Sequence, residues 1–70
     1  MVIKLILDKL SKNMHIRKPD SQDCYCGYST NSFPIIVDSS VLVITEDGVW
    51  HRGIWICSLC FNKLKALNAL

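Results

Sequence analysis

The chain has 70 residues and the composition of one small folded domain. Half of its residues are hydrophobic, which is too apolar for an intrinsically disordered chain. No apolar run approaches the roughly 20 residues that would span a bilayer. A core of this size rarely supplies more than about 3–5 kcal/mol, so domains of this length often add disulfides, a bound metal or a partner subunit.

The formal net charge of +2 is unevenly distributed along the chain. Residues 1–18 carry five basic residues and one acidic residue, and residues 19–47 carry five acidic residues and neither Lys nor Arg. Residues 48–70 carry three basic residues and no acidic residue. Four thiolates bound to one Zn²⁺ would bring the total close to zero, so overall positive charge gives little support to nucleic-acid binding.

The first residues show the apolar spacing of an amphipathic helix. The pattern i, i+3, i+4, i+7, i+11 is occupied by Ile3, Ile6, Leu7, Leu10 and Met14. We therefore predict an N-terminal amphipathic helix over residues 1–14, and the alternative is a short strand over residues 2–7. Residues 15–22 are predicted as a linker, because Pro19 lacks an N–H group and the following Asp-Ser pair favours a turn. The helix and a basic linker (1–18) would precede a metal-binding module (19–70).

The middle of the chain has the signals of β-structure. Ile35–Val37 is a short strand candidate, and Val41–Thr45 is a second β-branched run. The sequence Glu-Asp-Gly that ends at Gly48 predicts a hairpin turn. Residues 49–57 are predicted as the partner strand, with a bulge or twist near Gly53.

The four cysteines form two close pairs on either side of this β-rich middle. Cys57 and Cys60 lie at the start of a predicted helix from about Ser58 to Leu67 or beyond, where both sulfurs share one side and the helix dipole favours thiolates. The earlier pair precedes Gly27, which suits a tight zinc-binding turn. We predict one structural zinc ion per chain, bound by Cys24, Cys26, Cys57 and Cys60.

The sequence is also compatible with other thiol chemistry and with other ligands. The alternatives to zinc ligation are two disulfides or free, redox-active thiols. Against secretion, Lys4 interrupts the apolar N-terminus and no small-residue cleavage site follows, so we expect a cytoplasmic protein with reduced thiols. Asp23 is an alternative to Cys24, and His15 or His51 would complete a Cys₃His site. For His51, an ordinary strand position beside the hairpin is the simpler interpretation.

A zinc knuckle, a hairpin and a helix that carries the last two ligands form a treble-clef arrangement. We therefore predict a small α+β, treble-clef-like zinc domain with an extra N-terminal helix. The stretches Cys26-Gly27-Tyr28-Ser29 and Trp55-Ile56-Cys57-Ser58-Leu59-Cys60-Phe61, followed by Leu64, resemble the N-terminal zinc-binding domain of the ClpX unfoldase over about residues 23–68. The resemblance implies zinc at the four cysteines, a tendency to dimerise and recognition of other proteins.

The chain departs from that family in three respects. Its first pair is Cys-x-Cys where the family has Cys-x-x-Cys, and the 30 residues between Cys26 and Cys57 form a longer gap than the family's. No ATPase module lies within these 70 residues, so unfoldase activity is not implied.

Four cysteine ligands would leave a zinc ion no open position for water, which catalytic zinc sites keep. No His-Glu-x-x-His motif, glycine-rich phosphate loop or nucleophile constellation is present in the sequence. We therefore predict a protein that is not an enzyme.

A protein-interaction module is the first functional hypothesis, because a small scaffold here carries excess apolar surface and an aromatic cluster. The predicted partner-binding residues are Trp50, Arg52, Tyr25 and Tyr28. A homodimer, and a small phage or mobile-element factor that binds a host protein, fit the same hypothesis. The alternative is a zinc-dependent nucleic-acid-binding or transcription-regulating protein, with phosphate contacts from Lys9, Lys12, Arg17 and Lys18.

Overall fold

The computed structural model describes residues 1–68 and shows a small α+β fold with two three-stranded antiparallel sheets and one C-terminal helix. The first sheet contains β1 (Val2–Asp8), β2 (Asn13–Arg17) and β3 (Ile35–Asp38), in the order β2-β1-β3. A short 3-10 turn, Ser39–Val41, leads to the second sheet. That sheet contains β4 (Val43–Thr45), β5 (Gly48–His51) and β6 (Ile54–Trp55), in the order β4-β5-β6, and helix α1 (Ser58–Asn68) follows.

The predicted N-terminal helix is wrong, and the alternative of a strand is observed. Residues 2–8 form β1, and part of the predicted linker, from His15 to Arg17, lies in β2. β1 is the central strand of its sheet, and it buries Ile3 and Leu5 on one face and Ile6 on the other. A strand buried on both faces has a nearly continuous apolar sequence, which also satisfies the spacing of a helix.

Pairing within the first sheet joins the beginning of the chain to its middle. β1 pairs with β2, where Leu5 lies opposite Ile16, and with β3, where Leu5 lies opposite Ile35. The side chains that are almost completely buried come from both halves of the chain: Leu5, Ile6, Ile16, Cys24, Ile56, Cys60 and Leu64. Residues 1–18 therefore share one sheet and one core with the rest of the chain.

The predicted strand over residues 49–57 is divided into two strands by a tight turn. His51 pairs with Ile54 across β5 and β6, which leaves Arg52 and Gly53 as a two-residue connection. Their φ angles are +50° and +79°, the positive values that a type I′ hairpin turn requires. The break expected near Gly53 is thus a complete chain reversal rather than a bulge.

The short strand at Ile35–Val37, the hairpin turn before Gly48 and the C-terminal helix are confirmed. Helix α1 packs on β2 and β5 and buries Phe61 and Leu64. Within residues 1–68, no helix has the length and apolar character needed to cross a membrane.

Gly48, at the start of β5, provides a test of packing in the second sheet. A Cβ atom at this position would lie 2.7 Å from Nε1 of Trp55, and the backbone has a φ of +151°. We expect Gly48→Ala to lower the free energy of unfolding by about 1–3 kcal/mol, because the indole must move and the backbone is strained. Urea unfolding measures this change.

Gly53→Ala is the matched control for this substitution. Its φ of +79° also disfavours alanine, but its Cβ atom would meet no other atom within 4 Å. We expect it to cost about 1 kcal/mol from backbone strain. If Gly48→Ala costs no more than this control, the close approach of Gly48 to Trp55 has no energetic importance.

Candidate metal centre

The outer edge of β2, which faces away from β1, is where the two cysteine pairs meet. The N–H of Cys57 donates to the carbonyl of Met14 at 2.7 Å, and the N–H of Tyr25 donates to the carbonyl of Ile16 at 3.0 Å. His15 lies between these two carbonyls in the sequence. These hydrogen bonds therefore hold two segments next to His15 along the edge of β2. The turn that contains Cys26 lies beside Ile16, and the start of α1 lies beside Met14.

Four side chains from these three elements form a compact donor group. One nitrogen of His15 and the sulfurs of Cys26, Cys57 and Cys60 all lie within 4.8 Å of one another. The Nδ1 atom of His15 is 3.2 Å from the Cys26 sulfur and 3.8 Å from the Cys60 sulfur. Ligands of a tetrahedral zinc ion lie about 3.5–3.8 Å apart, given the usual Zn–S and Zn–N bond lengths. The group is compatible with one His/Cys₃ zinc site.

Three of the four predicted ligands belong to this group, and Cys24 does not. Cys24 is completely buried, and its N–H donates to the carbonyl of Tyr28 at 2.7 Å. Burial, together with the nearby Cys26 thiol, raises the pKa of the Cys24 thiol to about 11. A protonated, buried thiol behaves as a small apolar side chain, so the position of Cys24 suits packing.

The other alternative ligands occupy different positions in the structure. Asp23 forms a β-bridge with Ser29 and is not in the donor group. His51 is buried in β5 and is also outside the group. Of the substitutes considered from the sequence, His15 is the one that the fold places beside three cysteines.

The Cys60 sulfur has surroundings that suit a bound metal. Burial raises the pKa of this thiol, while the backbone N–H groups of Ile16 and Cys26 favour the thiolate. All four cysteines are free thiols in the structure. A buried thiolate is costly unless a cation neutralises it, and a divalent metal supplies that charge.

Asp8, at the end of β1, orients the His15 ring from its far side. Its Oδ2 atom lies 3.3 Å from Nε2 of His15, and its Oδ1 atom accepts hydrogen bonds from the N–H groups of Leu10 and Ser11. Burial acts to raise the pKa of the Asp8 carboxyl, but these hydrogen bonds outweigh it and hold the pKa below its ordinary value. A carboxylate that accepts from Nε2–H leaves the lone pair of Nδ1 directed at the sulfurs.

Tyr28 holds the same ring by stacking. The centroids of the Tyr28 and His15 rings are 4.5 Å apart and their planes are inclined by 17°. His15 is thus fixed by a carboxylate at one edge and by an aromatic face, which is the support expected of a metal ligand.

The residues predicted to bind a partner belong to separate parts of the fold. Tyr28 is half-buried and stacks on His15 at the metal centre, whereas Tyr25 is a core residue that is 8% exposed. Trp50 is half-buried in β5, between Val43 and Trp55 on the neighbouring strands. Arg52 is exposed in the β5–β6 turn.

The contribution of Asp8 can be measured with a substitution that preserves its turn. Asp8→Asn retains an oxygen for the N–H groups of Leu10 and Ser11 but removes the negative charge that faces His15. We expect zinc affinity to fall about 10–100-fold, the usual effect of losing an outer-shell partner. Competition with a chromophoric chelator measures the affinity.

Asp47→Asn is the control, because this carboxylate lies in the β4–β5 turn and is not part of the donor group. It removes the same charge and is expected to leave zinc affinity unchanged. Equal affinities for the Asp8 and Asp47 variants would contradict a role for Asp8 in orienting His15.

Comparisons with protein families, with curated proteins and with solved structures each found no match to this chain. The resemblance to the ClpX zinc-binding domain therefore stays a prediction. The donors of the site, one imidazole and three sulfurs, are four in number, which is compatible with a structural zinc site.

Proposed function

We propose that this chain is a small structural-zinc protein in which His15, Cys26, Cys57 and Cys60 bind one zinc ion. The observation that carries the proposal is the grouping of these four donor atoms within 4.8 Å of one another. Thiolate and imidazole ligands in a four-coordinate site are the preferred environment of zinc. The ion would join β2, the turn at Cys26 and the first turn of α1.

The architecture proposed for this module is a modified treble clef. The turn at Cys26, the β4–β5 hairpin and α1 occur in treble-clef order. In this architecture Cys24, which is buried in the core, would be the first cysteine of the knuckle, and the N-terminal sheet would supply His15 as the replacement ligand. This substitution offers a reason why Cys-x-Cys, whose two sulfurs are only two residues apart, stands where Cys-x-x-Cys is expected.

The role proposed for the scaffold is to bind another protein. Support comes from the apolar side chains on the edge strands of both sheets, which remain 44–63% exposed at Ile35, Ile36, Val43 and Ile44. Edge strands with exposed apolar residues are suited to pairing with another chain. A closed donor set also leaves zinc without the free position that catalysis needs. A phage or mobile-element factor that binds a host protein would be one such role.

Native mass spectrometry under reducing conditions tests the metal and the assembly together. We expect one zinc ion per chain. A metal-free chain in this spectrum would overturn the structural-zinc proposal, and a mass lower by two or four hydrogens before the reductant is added would indicate disulfides. The same spectrum reports whether the chain is a monomer or the predicted dimer.

Affinity capture with the zinc-loaded chain tests the proposed role. We expect specific partner proteins to be captured from a lysate of the organism that makes the chain, and fewer with Trp50→Ala, while that variant retains its zinc. Retained zinc is required, because its loss would show that Trp50 stabilises the fold instead. Salt-dependent binding to DNA or RNA, without a protein partner, would favour the nucleic-acid alternative.

A further inference from the structure

A groove of about 400 Å³ lies between β3 and the β5–β6 turn. Three consecutive residues, Ile35 to Val37, line one side, and His51, Arg52 and Ile54 line the other. Consecutive side chains of a strand point to opposite faces of its sheet. Because all three consecutive residues line the groove, the groove runs along the edge of the strand and not across one face. Among the described strands, β3 pairs only with β1, and its other edge is free.

The register of the first sheet identifies the backbone groups at this free edge. Ser39 N–H donates to the carbonyl of Met1 at 2.7 Å, and Val2 lies opposite Asp38. In an antiparallel ladder, this hydrogen bond and this pairing identify Val2 and Asp38 as a non-hydrogen-bonded pair. Along the ladder, hydrogen-bonded and non-hydrogen-bonded pairs alternate. Ile35 and Val37 therefore bond to β1, whereas the N–H and C=O of Ile36 point outward, and its side chain is 63% exposed.

The opposite wall carries two basic side chains in unusual environments. His51 is 8% exposed, and its Nδ1 atom is enclosed without a hydrogen-bond partner. Arg52 has a φ of +50° in a turn position that favours Asn, Asp or Gly. Among residues 1–68, no ion pair involves Arg52. An enclosed polar atom without a partner and a left-handed backbone at a residue other than glycine are both features that recur at ligand-binding positions.

The residues that line the groove include no acidic side chain. Its walls therefore present apolar surface, the outward backbone groups of Ile36 and the unpaired charge of Arg52. The complementary ligand is an extended backbone that carries branched apolar side chains and a carboxylate.

We infer that this groove binds an extended peptide segment of another protein, which pairs with the free edge of β3 and places an acidic side chain at Arg52. The inference rests on the proposed protein-binding function and names the surface and the chemistry of the partner. Backbone hydrogen bonds to Ile36 hold the segment, and Arg52 selects acidic over basic sequences. Zinc keeps α1 and the second sheet in place but does not contact the peptide.

Two capped synthetic heptapeptides test this inference, one of alternating valine and aspartate and one with lysine in place of each aspartate. Each is titrated into the ¹⁵N-labelled, zinc-loaded chain and followed by NMR. We expect the aspartate peptide to shift the amide signals of Ile36 and Arg52 saturably and to slow hydrogen exchange at Ile36. The lysine peptide is expected to bind at least about 10-fold more weakly, since like charges oppose binding.

Three variants separate the elements of the site. Arg52→Glu is expected to reverse the preference between the peptides, whereas Lys63→Glu, the same charge change on α1, leaves it unchanged. Ile36→Pro removes the outward N–H without removing a bond to β1 and is expected to abolish binding. Arg52→Asn removes the positive charge, so we expect it to weaken binding of the aspartate peptide about 10-fold or more. Asparagine suits this turn position, so the melting temperature is not expected to fall. This variant therefore separates binding from folding.

The inference is overturned by equal binding of the two peptides, by no binding at millimolar peptide, or by shifts centred away from Ile36. If the Ile36 amide signal shifts with protein concentration in the absence of peptide, the free edge of β3 binds a second copy of the chain. That result would also overturn the inference. Zinc stoichiometry and lysate capture are measured on the same preparations. If both are retained while peptide binding fails, the proposed function stands and only the groove assignment is lost.

Discussion

Replacing His15 with alanine is expected to lower zinc affinity by more than about 100-fold. Loss of an outer-shell partner lowers metal affinity about 10–100-fold, and loss of a direct ligand is expected to have a larger effect. The structure places its Nδ1 atom 3.2 Å from the Cys26 sulfur, so the substitution removes one of four ligands. Co²⁺ substitution provides a direct reading, because thiolate-to-cobalt absorption reports the number of sulfur ligands and the visible bands report tetrahedral geometry. Chelator competition gives the change in affinity.

Cys24→Ala is the matched control for the ligand set. Cys24 lies in the core outside the donor group, so this variant is expected to retain one metal ion and the cobalt spectrum of three sulfur ligands. Alanine is preferable to serine here, because a serine hydroxyl would be buried in apolar surroundings. If Cys24→Ala loses the metal while His15→Ala keeps it, the four-cysteine site predicted from the sequence is correct.

Removing zinc with an excess of chelator under reducing conditions is expected to unfold the chain at 25 °C. A core of this size rarely supplies more than about 3–5 kcal/mol, and removal of the ion leaves buried donor groups without the charge that stabilises them. Structural zinc contributes about 10–16 kcal/mol in small zinc-finger peptides near neutral pH. Helix α1 and β2 are joined through the metal ligands Cys57, Cys60 and His15, so their contact is expected to be lost first. Far-ultraviolet circular dichroism and tryptophan fluorescence follow the transition.

Restoring zinc must reverse this change if the metal is structural. An equal concentration of Mg²⁺ is the control, since this ion prefers oxygen ligands and is not expected to refold the chain. A chain that keeps its spectra and its melting temperature after complete metal removal would contradict a structural role for zinc.

Local features of the sequence were sufficient to predict several elements. The Glu-Asp-Gly turn requires a positive φ only at its glycine, and the observed hairpin has Gly48 at that point. The helix that begins at Ser58 and the short strand at Ile35–Val37 follow from the spacing of neighbouring residues. These signals act over a few residues, so they do not depend on what the rest of the chain does.

The N-terminal segment could not be assigned in this way. Its apolar residues satisfy both a helical face and a strand buried on two sides, and only the pairing partners distinguish the two. One of these partners, β3, begins 27 residues after β1 ends. The reversal at Arg52 and Gly53 was also missed, because arginine is an unusual residue for the first position of a type I′ turn.

The ligands of the metal centre also differ in whether neighbouring residues or the tertiary structure identify them. The closely spaced pair Cys57 and Cys60 defines a metal-binding unit by itself, since residues three apart at a helix N-terminus share a side. The choice between Cys24 and His15 has no local signal. It depends on hydrogen bonds from Tyr25 and Cys57 to the edge of β2, which turn Cys24 into the core and bring His15 to the sulfurs. The number of donors and three of the four residues could thus be inferred from spacing, whereas the type and identity of the fourth donor required the packed sheet.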